Sequence, residues 1–259
     1  MQKRILVGAV IALYALGLSA TPTAAAGGPG TFHCNKTVDG GTIASNITVN
    51  PNGVCVLNGV TVTGNVTAGY NSYFESNGST ISGNVTGNFA LTLYVWGGSS
   101  VGGNVAAVGT PQVFVYNSTV GKNVGSVSAS APGYGHFQVC GSTVTREIGV
   151  ALSGPDILIG DPAAGCGANT VKNGGITVAF NSADTEVYVI GNTATNNNIG
   201  VYDNGGVGDK LVHDNNAPNG DLFCAGNSSP FDGSGNGTVG DVEGSQCSAT
   251  TITGVDPDE

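Results

Sequence analysis

Six cysteines carry the clearest chemistry in the sequence. They fall into three successive pairs, Cys34 with Cys55, Cys140 with Cys166 and Cys224 with Cys247, each of similar span. No C-x-x-C pair and no Cys/His cluster accompanies them, so the pattern speaks for disulfides and against a zinc site. Four carboxylates form a second candidate set: Asp156, Glu186, Asp209 and Asp221. If they stack on adjacent strands they stand roughly 5–10 Å apart. Like charges at that distance repel, and a hard cation such as Ca2+ would relieve the repulsion. Asp214, Asn215 and Asn216 could add oxygens. The plainer expectation is a row of carboxylates turned into water. No residue is assigned as catalytic or as binding a cofactor. The motifs G-x-S-x-G, H-E-x-x-H and a Gly-rich phosphate loop are missing. His33, His136 and His213 are far apart in the chain, and Arg146 beside Glu147 reads as a surface ion pair. Glu75 reads as an isolated carboxylate between positions held by Val95 and Phe114.

Composition says which elements could position such groups. Of 259 residues, 44 are Gly, charged residues make up 9% and hydrophobic residues 40%. The scarcity of Glu and Lys argues against a helical bundle, and the apolar content argues against a disordered acidic chain. With 7 basic and 17 acidic side chains the formal charge is −10. Such a chain lacks the basic face that nucleic acid requires. A Val/Thr-rich β protein punctuated by Gly and Asn remains.

An internal repeat organises the chain. Thr61-Val62-Thr63-Gly64-Asn65-Val66 returns from Thr80, Ser100 and Thr119, and in weaker form from Thr143, Thr170 and Thr193. The period is about 20 residues as far as Thr119 and widens after it, with insertions collected in loops. A unit of about 20 residues with two strand patterns cannot bury its apolar face alone, but stacked units can. The expected fold is all-β, a single right-handed parallel β-helix of about 8 coils with disulfide-stapled ends. Right-handed winding follows from the crossover rule. A β-sandwich is the competing fold, but it gives no reason for the regular echo of the phrase. Each cysteine pair spans about one coil and so falls on neighbouring coils, within disulfide reach.

Alternation then assigns faces. Val62, Ile81, Val101, Val120, Val144 and Val171 form one inward column. Val66, Val85, Val105, Val124 and Ile148 form another. Phe74, Tyr94, Val113, Phe137, Ile157 and Val187 form a third. Asn65, Asn84, Asn104 and Asn123 form an amide ladder at a turn, and N-x-S/T triplets such as those at Asn46 and Asn84 follow from the repeat and not from glycosylation. One outward column reads Tyr73, Leu93, Gln112, His136, Asp156, Glu186, Asp209 and Asp221. Its neighbour reads Glu75, Val95, Phe114, Gln138, Leu158, Tyr188, Leu211 and Phe223. An acidic stripe beside an aromatic and aliphatic one is either an ordinary solvated face or a flat carbohydrate- or partner-binding surface.

The ends read differently from the middle. Lys3 and Arg4, the apolar run after them and Ala24-Ala25-Ala26 have the pattern of a secretory signal peptide over 1–26. The expected order is then an N-terminal cap and first coil at 27–59, the β-helix at 60–225, a C-terminal disulfide cap at 226–247 and a disordered acidic tail at 248–259. The mature chain is expected outside the cell and not in a membrane.

Phe32-His33-Cys34-Asn35, the run from Cys55 to Val66, Gly160-Asp161-Pro162-Ala163-Ala164-Gly165-Cys166 and Glu243-Gly244-Ser245-Gln246-Cys247 resemble a family of secreted actinobacterial β-helix proteins. The resemblance covers about Thr31 to Cys247. It implies a right-handed β-helix with disulfide caps and implies no activity. The repeat is also remotely similar to the core of bactofilins, in architecture alone. The expected function is a secreted, non-enzymatic structural or interaction module without cofactor, binding carbohydrate or a surface partner along one face. The alternative is a carbohydrate-active lyase or hydrolase, which needs grouped carboxylates or a basic residue beside bound Ca2+.

Overall fold

The computed structural model describes residues 30–127, 129, 135–154, 156–181, 186–206, 208–228, 231–238, 242–244 and 246. The chain winds as a parallel β-solenoid with three faces. A sheet of 11 strands, the long sheet, begins at Thr31–Cys34, a second of 10 strands at Thr37–Asp39, and a third of 10 two-residue strands at Thr42–Ile43. Every strand pair is parallel and joins successive coils. Ten strands on a face make about nine turns, one more than expected. The extra turn lies in 226–243, where Phe231–Asp232, Gly237–Thr238 and Val242–Glu243 continue the three sheets. The segment expected to be a separate cap thus extends the solenoid. Similarly, 27–59 holds the first coil and most of a second. No helix long and apolar enough to cross a membrane occurs among the described residues.

Alternation in each strand drives apolar side chains inward. Val66, Val85, Val105, Val124 and Ile148 pair in register, and the column runs on through Ile176, Ile199 and Leu222. All eight are buried. Burying a Val or Ile contributes roughly 1.5–3 kcal/mol, so these columns are the main stabilising element. Among the described residues, one inward position carries a charged side chain. Lys210 sits in register between Val187 and Phe231 and is fully buried. Its amine donates to the carbonyls of Gly206 and Gly208. Burial lowers its pKa, with Asp209 pulling the other way.

Left-handed backbone bends the chain at two of the three corners. The corner after the second sheet holds Gly78 at φ 57, and Asn117 and Asp214 take the same conformation at the equivalent place. The corner after the long sheet places Asn71, Phe89, Leu152 and Phe180 there, each at φ between 51 and 56. Bulky residues in that region are strained. At the third corner the backbone passes close to the coil below. A Cβ at Gly83 would meet Asn65 Oδ1 at 2.5 Å and the Gly64 carbonyl at 2.7 Å.

Polar side chains inside the corners are stacked. The expected ladder is present and starts one coil earlier, at Asn46: each Oδ1 accepts from the next Asn backbone N–H, from Asn46 through Asn123, at 2.8–3.1 Å. Two further ladders fill the C-terminal half. Asn169, Asn192, Asn215 and Asn236 form one, and Asn181, Asn204, Asn227 and Gln246 the other. They satisfy backbone groups that the inserted loops would otherwise leave unpaired in the interior. Cys34–Cys55 and Cys140–Cys166 are disulfide-bonded, with Cα atoms 5.4 and 4.8 Å apart. Cys224 is also disulfide-bonded, whereas its expected partner Cys247 lies outside the described residues. So do residues 1–26, expected to be a signal peptide, and 248–259, expected to be a disordered tail.

Candidate functional site

The outer surface of the second sheet carries the most distinctive cluster of side chains. Its strands Tyr73–Asn77, Thr92–Trp96, Gln112–Tyr116 and His136–Cys140 are in parallel register. Alternation turns Tyr73, Glu75, Tyr94, Trp96, Phe114, Tyr116, His136 and Gln138 outward, all half-buried. Tyr94 is the hub. Its ring stacks on Trp96 at 5.6 Å with 12° between planes. It also meets Phe114 at 5.5 Å and Tyr116 at 5.6 Å, both edge to face. Phe114 lies 6.4 Å from the His136 ring. Ring pairs in these geometries add to the stability gained by burial.

Glu75 sits at the edge of this platform. It accepts hydrogen bonds from the Tyr73 hydroxyl at 2.6 Å and the Trp96 indole N–H at 2.9 Å. Burial pushes the Tyr73 hydroxyl well up, and its bond to Glu75 adds to the shift. Burial also raises Tyr94, with the Glu75 charge second. Tyr116 donates to the Gln138 side-chain oxygen, and burial pushes its pKa up to about 12. The carboxylate and the amide thus fix the tilt of the rings.

This arrangement corrects the column assignments. Leu93 faces inward in register with Phe74 and Val113, and Val95 is buried too. Tyr94 takes the outward place between Glu75 and Phe114, so Glu75 is neither isolated nor beside Val95. The cause is one extra residue in the turn: Gly97-Gly98-Ser99 replaces Gly78-Ser79. Counting back a fixed distance from Ser100 therefore lands one position late. The same count passes over Trp96 and Tyr116, which belong to this face. Their signal is present in the spacing, since both lie two residues beyond an outward aromatic.

The acidic set is brought together only in part. His136 pairs with Asp156, and the pairing Ile157–Val187–Lys210 sets Glu186 and Asp209 in the same column on successive coils. Asp156 Oδ1 accepts from the Glu186 backbone N–H at 3.2 Å. Asp221 belongs elsewhere. It precedes a strand of the long sheet, where its N–H donates to Asn198 Oδ1 at 2.8 Å. Phe223 is on that sheet too, and the true continuation beyond Leu211 is Asp232. Strands Lys210–His213 and Leu222–Ala225, on different sheets, look like one face in the sequence because the intervening repeat phrase is too degenerate to count from. Among the described residues no three His, Cys, Asp or Glu side chains form a group able to hold a metal. The four-carboxylate Ca2+ set is therefore not assembled.

Other singled-out residues have ordinary partners. His33 bonds Asn50 Oδ1 at 3.1 Å, and His213 pairs with Asp214 at 2.9 Å. The expected Arg146–Glu147 pair is not formed. Glu147 instead accepts from Thr177 Oγ1 at 3.1 Å, and burial raises its pKa. Comparison with protein-family models, with curated proteins and with solved structures finds no match to this chain.

Proposed function

We propose that the chain is an exported, non-enzymatic β-helix whose second sheet binds glycans on its aromatic face, as a member of the secreted actinobacterial β-helix proteins it resembles. The single observation behind this reading is the patch of five contacting, half-exposed rings centred on Tyr94. A pyranose presents apolar C–H faces that stack on such rings, while its hydroxyls find acceptors at the edges. Glu75 and Gln138 offer those acceptors. The rings stand on a sheet rather than on loops, so little conformational entropy is lost when a sugar docks. Export is supported by the basic, apolar and small-residue order of residues 3–26 and by the disulfides, which belong to oxidising compartments.

The test is a glycan array on purified protein, followed by titration of the best ligand. Trp96→Ala and Tyr94→Ala should each weaken binding about tenfold, the scale of one lost ring contact. Circular dichroism should stay unchanged. Wild-type affinity in both variants would remove the platform from consideration. Reducing ends or unsaturated products released from any array polysaccharide would sink the non-enzymatic part and favour the lyase or hydrolase alternative.

A further inference from the structure

Resting on the glycan reading, we infer that the preferred ligand carries free amino groups: an amine-bearing sugar polymer, held with an ammonium against Glu75 and the Tyr94 and Trp96 rings. Two independent features of the face converge on a cation. The first is the rings themselves. The faces of Trp and Tyr attract cations, more strongly as water is excluded, and Tyr94 and Trp96 lie stacked side by side. The second is an uncompensated charge. Glu75 takes hydrogen bonds from two neutral donors, and no Lys, Arg or His nitrogen forms an ion pair with it among the described residues.

The rest of the sheet has the same sign. Along its axis the platform leads past His136 to Asp156, Glu186 and Asp209, on successive coils about 4.8 Å apart. None of these three is in an ion pair among the described residues. Lys210, the nearest lysine in sequence, turns its amine inward to backbone carbonyls. An extended glycan lying along the axis would therefore meet rings and a carboxylate first, then further carboxylates at each coil. Sulfated or uronic polymers would meet repulsion, both here and from a chain of formal charge −10.

The experiment compares two probes of equal length, N-acetylglucosamine hexamer and its fully deacetylated counterpart, by calorimetric titration below neutral pH, where the amines are protonated. A lysine hexamer of the same charge serves as the third probe. The deacetylated sugar should bind about tenfold tighter than the acetylated one, in line with a partly desolvated cation–π and ion contact. Glu75→Gln keeps the shape and a partner for the Trp96 N–H. It should bring the two dissociation constants within about threefold of each other. Equal binding of both sugars by the parent protein would overturn the amine preference and leave the glycan reading standing. A preference that survives Glu75→Gln, or a lysine hexamer that binds as tightly, would overturn this site, because net charge alone would explain it. Binding of none of the probes would count against both readings.

Discussion

At the scale of single residues, carboxylates on the second sheet hold the protons of neighbouring phenols more tightly. Tyr188 stands in the outward column beside that of Glu186 and Asp209. Burial first, then those two charges, push its hydroxyl up to about 12. A phenol raised in the folded state holds its proton more tightly there than in the unfolded chain, whose phenols titrate near 10. Its contribution to stability is therefore complete below pH 10 and is lost as pH rises from 10 to 12. Phenolate absorbance should show a component centred near 12, shared by Tyr188 and Tyr116, that Tyr188→Phe lowers by one phenol. Glu186→Gln with Asp209→Asn should move the Tyr188 part of that component some of the way back towards 10. A Tyr188 transition near 10 in the parent protein would mean that neither burial nor the carboxylates act on it. The same residues show where sequence reading gives out. Asp156, Glu186 and Asp209 are legible as one column because each precedes an apolar strand at a countable distance. Tyr94 is misplaced by one residue, and in a strand one residue reverses the face.

At the scale of elements, the corners decide how far the repeat can be read. In the first coils the phrase recurs at a nearly constant interval and its Asn is visible. Later coils are longer, and the amide ladders move to two other corners. One trace remains in the sequence. The residue before each strand start is Ser79, Ser99, Ser118 and Ser142, then Asn169, Asn192 and Asn215. A hydroxyl suffices while the corner is tight, and a longer amide spans it once the loop grows. Asn192 illustrates the cost of losing a rung. It is fully buried, donates to the Ile159 carbonyl at 2.6 Å and to Asn215 Oδ1 at 3.0 Å, and accepts from the Asn169 backbone N–H at 3.1 Å. Asn192→Ala leaves at least one buried donor and one buried acceptor unpaired, which costs roughly 2–4 kcal/mol. Asn196→Ala removes an exposed bond to the Lys172 carbonyl and should stay within about 0.5 kcal/mol. Urea midpoints measure both. Equal losses would show that the ladder contributes no more than surface contacts do.

At the scale of the whole molecule, each coil touches only its neighbours, so the solenoid behaves as a one-dimensional array. Its columns are legible from sequence because stacking forces like onto like. Its extent is not, because the last coil carries little of the phrase. Modularity makes a severe test possible. Residues 80–99 form one complete coil, with strands Thr80–Ile81, Val85–Asn88 and Thr92–Trp96. Excising them joins Ser79 to Ser100 and lets the coils on either side pair directly. Val66 would face Val105, Tyr73 would face Gln112, and Asn65 would bond Asn104. Both described disulfides lie outside the excised coil. The shortened chain should therefore fold cooperatively. Its denaturant slope should fall by about a tenth, since one turn in about nine no longer exposes surface on unfolding. The cut also removes Tyr94 and Trp96, the hub of the platform and its stacked neighbour. Glycan binding should vanish from a protein whose β-sheet circular dichroism and cooperative unfolding are kept. A shortened chain that aggregates or unfolds non-cooperatively would show that the coils are not interchangeable at this point. One that folds and still binds at full affinity would place the glycan surface away from Tyr94 altogether.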